Sequence, residues 1–443
     1  MKKIRFLFVV MTLLSVCSVG AEDNMSSEMS AVRNSQEFLR LFWTETATQK
    51  DFKKYEKKIL NVLAAHPEDK GVADLTLATL LYSSRSKVIV NSPRAFELFK
   101  QAYAELPKGT FLSALASYNV GACYYQKREG LIQNFDSTYV YFSKAAEIDK
   151  RFKSGIGQLS EMGIGTKKDP VYALECFIEA TKAGTDAFND AYAVRYALEN
   201  DADGDNVTSG YENWVKSTYE AIVDNDFEEA KIYLNAAADV GFLPAVMGMG
   251  NMIFIYDPDL SMKEKGLQMY KKAADAGYIP AMYTYAMQYC YLKSGGASPD
   301  FDLRRNIYGK ADLISYIEKA AEHGYAPAQH ELGECYHYGI GVERDMEKSY
   351  LWYGAAVRQG YDKQDILGLT TKQQFEKMSK KISVEKKQEL DKKIDEIIAT
   401  YDLSAKTLDK GFKVTTVDVN KGEKAEQNQH KMKEIISEDS WGY

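Results

Sequence analysis

The residues best placed to do chemistry lie in the run Asp201-Ala-Asp203-Gly-Asp205-Asn-Val207-Thr-Ser209-Gly-Tyr-Glu212. Oxygen-bearing side chains fall at the first, third, fifth, ninth and twelfth places, the spacing with which a helix–loop–helix site wraps calcium. Two places depart from that pattern. Asn206 stands where glycine makes the sharp turn, and Thr208 stands where an apolar residue anchors the loop. The run reads as a solvated turn, with calcium binding by Asp201, Asp203, Asp205 and Glu212 as the alternative.

A second cluster is His330 and His337, seven apart and so on one helix face, with His323 just before them and Glu334 between. A metal would need Glu334 or an equivalent as third ligand. Ordinary helix surface explains the same spacing and is the reading adopted. Gly163-Ile-Gly165-Thr-Lys167 lacks the spacing of a phosphate-binding loop and reads as a turn between helices. No G-x-S-x-G or H-E-x-x-H signature occurs, and no cysteine stands in a nucleophile context. No catalytic, cofactor-binding or metal-ligating residue is therefore assigned, no cofactor is expected, and the chain does not read as an enzyme.

The elements that position these residues follow from self-similarity. Gly241-Phe-Leu-Pro-Ala245, Gly277-Tyr-Ile-Pro-Ala281 and Gly324-Tyr-Ala-Pro-Ala328 are near-copies, each preceded by an alanine pair. Small pairs begin at Ala145, Ala180, Ala237, Ala273, Ala320 and Ala356, giving steps of 35, 57, 36, 47 and 36. A period of about 36 belongs to two-helix repeats, and the two long steps carry insertions. Glycine ends a helix in the left-handed region, and proline opens the next where no hydrogen bond is lost. Asp169-Pro170 reads as an N-cap, and Asp226-x-x-Glu229 and Ser261-x-x-Glu264 as capping boxes. Tyr124, Tyr285, Tyr289, Tyr336, Tyr350 and Tyr353 recur in phase with the repeat and are expected to pack between helices.

The copy from Ala328 to Gly360, with Leu332-Gly333, Tyr336, Gly339-Ile-Gly341-Val342, Asp345, Trp352-Tyr353 and Ala355-Ala356, closely resembles the Sel-like repeat family. A second copy lies 176 residues earlier: Gly157, Gly163-Ile-Gly165, Asp169 and Cys176-Phe177 match Gly333, Gly339-Ile-Gly341, Asp345 and Trp352-Tyr353. It departs at Ser160, where tyrosine is expected. The resemblance covers 116–362. It implies an all-α, right-handed superhelical solenoid of antiparallel helix pairs, with a concave face used for protein or peptide binding.

Around that array the expected organisation is a signal peptide at 1–21, a flexible N-terminus at 22–35, and degenerate helical repeats at 36–115. Insertions at 184–226 and 294–312 are expected to project from one end of the stack, capping helices to occupy 363–404, and a polar tail 405–443. Lys2, Lys3 and Arg5 precede a short apolar run, and Val19-Gly20-Ala21 offers a cleavage site, so periplasmic or secreted location is expected. Lipid anchoring through Cys17 is the alternative, disfavoured by the bulk of Val16. No segment is long and apolar enough to span a membrane.

The net charge is −7, and −10 once Lys2, Lys3 and Arg5 are removed. An acidic chain gains nothing from phosphates, which excludes nucleic acid as an expected partner. Cys123, Cys176, Cys290 and Cys335 read as small buried residues, with pairing left open by their spacing. The functional expectation is an exported scaffold or adaptor whose concave face holds an unidentified protein or peptide. The competing one is a cell-wall or carbohydrate-associated enzyme or its accessory subunit, with calcium in the 201–212 loop.

Overall fold

The computed structural model describes residues 25–200, 205–224, 226–256, 260–296, 300–310, 312–364, 368–400 and 403. The chain separates into two units, 1–409 and 410–443. The signal peptide, the Cys17 anchor, Asp201 and Asp203, and the tail beyond 403 lie outside the described residues. Among those described, everything regular is helical except one isolated bridge between Gln364 and Thr370.

The helices follow one another as antiparallel pairs. Three leading helices, the short α1 (Ser27–Arg33) and α2 (Gln36–Trp43) and the long α3 (Gln49–Ala65), precede the first clear pair, α4 (Lys70–Ser83) and α5 (Ser92–Glu105). Then come α6 (Phe111–Tyr125) with α7 (Phe135–Ile148), and α8 (Lys153–Met162) with α9 (Pro170–Lys182). After an extra helix, α10 (Phe188–Asn200), the pairs resume with α11 (Asp205–Tyr219) and α12 (Phe227–Asp239), and α13 (Leu243–Tyr256) and α14 (Leu260–Asp275). Next, α15 (Ile279–Lys293) pairs with α17 (Leu313–Glu322) across an inserted α16 (Phe301–Lys310). The last pair is α18 (Ala326–Tyr338) and α19 (Met346–Arg358), covered by α20 (Thr371–Ser379) and α21 (Val384–Thr400). This is an all-α solenoid.

The two helices of a pair have different jobs, and their sequences show why. Every residue from Gly71 to Tyr82 in α4 and from Ala326 to His337 in α18 is buried, as is nearly all of α6. α6 is enclosed all round because it is apolar on nearly every side, whereas α18 is enclosed with polar side chains such as Glu331 and Glu334 paired inside. The second helices bury one face only: Ala95, Phe99 and Ala102 in α5, Thr138, Phe142, Ala145 and Ala146 in α7. Each of five second helices opens on an Asn or Asp whose side chain accepts a backbone N–H of the first turn: Asn91, Asn134, Asp169, Asp226 and Asp345. These groups satisfy donors that the helix itself leaves unpaired.

The pairs are locked by a glycine against an aromatic ring about twenty residues on. A Cβ on Gly157 would stand 2.8 Å from the ring of Phe177, and one on Gly333 2.8 Å from the ring of Tyr353. Gly121 against Phe142 and Gly250 against Tyr270 repeat the contact. The period is thus a packing period, with a ring from the second helix seated on bare backbone of the first.

Several expectations are corrected. The N-terminus at 22–35 is not flexible throughout: α1 is capped by Ser26, buries Met29 and Val32, and Ser26 holds the buried Asp69. Ser261 is no cap, because α14 already begins at Leu260. Neither insertion is a projection. α10 buries Ala191, Ala193 and Val194, and the Tyr192 hydroxyl donates to the carbonyl of His323 at 3.0 Å. α16 sends Arg304 to Glu331 and Glu334 of α18. An amphipathic segment of three turns buries its apolar stripe on the nearest apolar surface, and here that surface belongs to later repeats.

One contact joins distant pairs. Gly360, in the left-handed region at φ 84°, abuts the end of α9 so closely that a Cβ would lie 2.5 Å from the Thr181 carbonyl oxygen. Lys363 Nζ pairs with Asp186 Oδ2 at 2.7 Å beside it. The turn after the third pair therefore meets the turn after the last.

Candidate functional site

The inner side of this closure is a cavity of about 1570 Å³. It is lined from the α4–α5 turn through α8, the α9–α10 turn and α11 to the turn after α19. Its walls are aromatic: Tyr118, Phe152, Trp214, Tyr278, Tyr325 and Tyr361. Three of these come from one repeat position. Tyr278, Tyr325 and Tyr361 each follow the left-handed glycine that ends a pair, Gly277, Gly324 and Gly360. α10 braces the wall: Phe188 packs edge-on against Tyr325 and Tyr361, and the Tyr325 hydroxyl donates to Asn189 Oδ1 at 2.9 Å. Burial holds the Tyr278 and Tyr325 phenols well above their ordinary pKa, so they are neutral groups.

The wall turns polar where α8 and α10 meet. Ser154 and Gln158 line the cavity from one face of α8, and Glu161 continues that face one turn on. Asp190, in the first turn of α10, lines it from the other side. Burial raises the Glu161 carboxyl to about 8, and repulsion from Asp190 adds to this; a hydrogen bond from Tyr211 at 3.0 Å and the attraction of Lys168 oppose it. Burial likewise raises Asp190 to about 6. Among the described residues neither carboxylate has a salt bridge. Of the basic residues on the wall, Arg151 pairs with Asp149 at 2.6 Å, Lys363 with Asp186, and Arg128 stacks on Tyr82 and donates to its carbonyl, while Lys127 is attracted to Glu220.

The residues singled out in the sequence fall elsewhere. Tyr124, Tyr285, Tyr289, Tyr336, Tyr350 and Tyr353 are away from the cavity wall, and Tyr353 is fully buried. Asp205, Ser209 and Glu212 belong to the continuous helix α11, whereas a calcium loop keeps its ligands on non-helical backbone through the seventh place. His330 and His337 are buried, not helix surface: His330 Nδ1 meets Thr371 Oγ1 at 2.9 Å, and His337 stacks on Tyr338. The covering helix α20 buries this face, which a pattern read from one repeat could not show. His323 is exposed. Among the described residues no group of three His, Cys, Asp or Glu side chains is placed to hold a metal. Cys123, Cys176, Cys290 and Cys335 are buried in separate helices and unbridged, and burial pushes the Cys176 and Cys290 thiols up to about 11. No described helix is long and apolar enough to cross a membrane. The cavity tyrosines had a sequence signal, since each follows a repeat-ending glycine. Asp190 and Glu161 had none, because their meeting depends on where an insertion folds.

Fold and cavity define a helical-repeat scaffold. Sel1 repeats match residues 77–105, 114–149, 154–185, 220–242, 262–278, 279–303 and 326–361, and the chain is a Sel1-repeat protein. The matches begin well before 116, so α4 and α5 are already a repeat. They leave out 186–219, which holds α10 and α11, 243–261, which holds α13, and 304–325, which holds most of α16. Chitin synthase regulatory factor 3 of Schizosaccharomyces pombe is 28% identical over 48% of this chain and 20% of its own length. An Arabidopsis thaliana F-box protein is 31% identical over 26% of this chain and 28% of its own. The chain thus spans under a third of either relative. Similar solved structures include a protective antigen of uropathogenic Escherichia coli with an SLR fold (18% identity, 82% of this chain and 85% of that one, TM-score 0.35). Another is a Sel1 repeat protein from Oxalobacter formigenes (20% identity, 55% and 87%, TM-score 0.28).

Proposed function

We propose that the chain is a non-enzymatic scaffold, working outside the cytoplasm after export, whose inner channel holds a segment of a partner protein. The observation that carries this is the channel itself. A space of about 1570 Å³ exceeds the roughly 300–1,000 Å³ of small-molecule sites, and its walls are rigid aromatic side chains of the kind that anchor protein segments. The fission-yeast relative is named as a regulatory factor for an enzyme, which fits a repeat array that serves another protein's activity.

Site-specific photocrosslinking in the producing cells tests this. A crosslinker at the half-buried Trp214 on the wall should trap a discrete partner in the envelope fraction, and one at the exposed Leu60 of α3 should not. Equal labelling from both positions, or a chain retained in the cytoplasm, contradicts the reading.

A further inference from the structure

The third and last pairs share one template, offset by 176 residues, and the third departs from it in one direction. Where the last pair has Glu334, Tyr336, His337 and Tyr361, the third has Gln158, Ser160, Glu161 and Thr185. Three of the four replacements remove a ring, and Thr185 interrupts the row of aromatics that follows the repeat-ending glycines. The buried Gln158 Oε1 and Thr185 Oγ1, both on the cavity wall, have no hydrogen-bond partner. Gln158 is 6% exposed. A buried acceptor left unmade costs about 1–3 kcal/mol, so folding alone does not explain this cluster.

Every open group there accepts hydrogen bonds. Asp190 brings a carboxylate with no ion pair among the described residues, Glu161 a second with one oxygen taken by Tyr211, and Gln158 a carbonyl. The cations near them are few: Lys168 from the α8–α9 turn, Lys127 on the same wall but attracted to Glu220, and no wall arginine, since Arg128 and Arg151 are engaged elsewhere. The complement of such a surface is a cation with several fixed N–H donors and flat faces that suit aromatic walls. Guanidinium has five donors, stays charged at every working pH, and stacks on rings.

We infer that Gln158, Thr185 and Asp190 on the wall, with the Glu161 carboxylate buried behind them, form a receptor for an arginine side chain, carried into the cavity on an extended segment of the partner protein. This rests on the proposed scaffold function and specifies what the channel selects. The guanidinium would give Gln158 Oε1 the donor it lacks, would add an opposite charge beside Asp190, and would favour ionisation of Glu161. Because arginine does not titrate, any change of affinity between pH 6 and 8.5 belongs to Glu161 and Asp190, with Tyr211, Tyr278 and Lys168 as the titratable groups around them.

The test uses the purified chain and fluorescent, end-blocked octapeptide pools, each with one fixed central residue, read by polarisation. The arginine pool should bind at least about tenfold more tightly than the citrulline pool, which keeps the shape and loses the charge. That margin should vanish in Glu161→Gln/Asp190→Asn, with the melting temperature unchanged or raised, and should grow as the pH rises from 6 to 8.5. Tyr325→Ala should weaken all pools alike. If every pool binds equally, the arginine receptor is wrong while the channel stands. If none binds, the scaffold reading fails and takes the receptor with it. Free arginine amide binding as tightly as the arginine pool also overturns the proposal, because no extended segment is then needed.

Discussion

The third pair, α8 and α9, and the last, α18 and α19, are the two best copies of one repeat, and they treat buried charge in opposite ways. In the last pair Glu331 and Glu334 are compensated. α16 lays Arg304 between them, and Tyr308 donates to Glu331 at 2.8 Å. Burial alone would disfavour a charged Arg304, but the two carboxylates hold it protonated. In the third pair Asp190 faces the cavity and Glu161 lies buried behind the wall, and among the described residues neither has a salt bridge. Both pairs keep the glycine–ring lock and the Asp cap, so backbone and packing are conserved between copies while the polar complement is not. A copy that retains its lock but leaves polar groups open breaks a local rule that its sister copy obeys, which is why the proposed receptor is placed there.

The sharpest way to break this comparison is Arg304→Ala. It strands two buried carboxylates and should cost about 3–5 kcal/mol in denaturant unfolding. A loss below about 1 kcal/mol would mean the two pairs do not differ in the way described. Gly360→Ala comes next. It forces a left-handed residue to carry a Cβ into backbone carbonyls of Thr181 and Lys182 and should cost about 2 kcal/mol or more. Hydrogen exchange should then quicken at 181–190 as well as at 358–364, although the segments are far apart in sequence.

Glu161→Gln carries the opposite sign. Its carboxyl is raised from 4.5 to about 8, so the native state holds a proton that the unfolded chain has released. The empty protein therefore loses stability as pH climbs from about 4.5 through 8, and the substitution should restore on the order of 2 kcal/mol at pH 8 and little at pH 4. A destabilising effect at pH 8 would show that Glu161 is structurally satisfied. The smallest expected effect is the cap: Asp169→Ala and Asp345→Ala should each cost about 1 kcal/mol, equal within error, because both do the same work in both pairs.

The fold was legible because its period is written in residues that packing cannot replace: the terminal glycines, the Gly157 and Gly333 seats, and the Asp169 and Asp345 caps. Even the degraded N-terminal segment keeps a helical pattern, which is why 36–115 reads as helical repeats. The candidate site was only half legible. Tyr278, Tyr325 and Tyr361 are visible as a column in the repeat, and Ser160 was visible as a departure. The rest depends on contacts between residues far apart in sequence. Nothing in the sequence of 188–200 says that it folds back to set Asp190 before Glu161, nor does 301–310 announce that Arg304 answers Glu331. Insertions carry an amphipathic pattern but no address. For the same reason His330 and His337 looked like surface until the covering helix α20 was in place.

The claim on which the rest depends is that the array closes on itself, bringing the turn after α9 against the turn after α19. A zero-length carbodiimide coupling of the purified chain, followed by peptide mass spectrometry, tests it directly. Lys363 and Asp186 are 177 apart in sequence and 2.7 Å apart in space, while Lys386–Glu347 at 3.1 Å serves as an internal control within the last repeat and its cover. Closure predicts both amide links in the same sample. The control link without the 363–186 link would contradict it, and with it the channel.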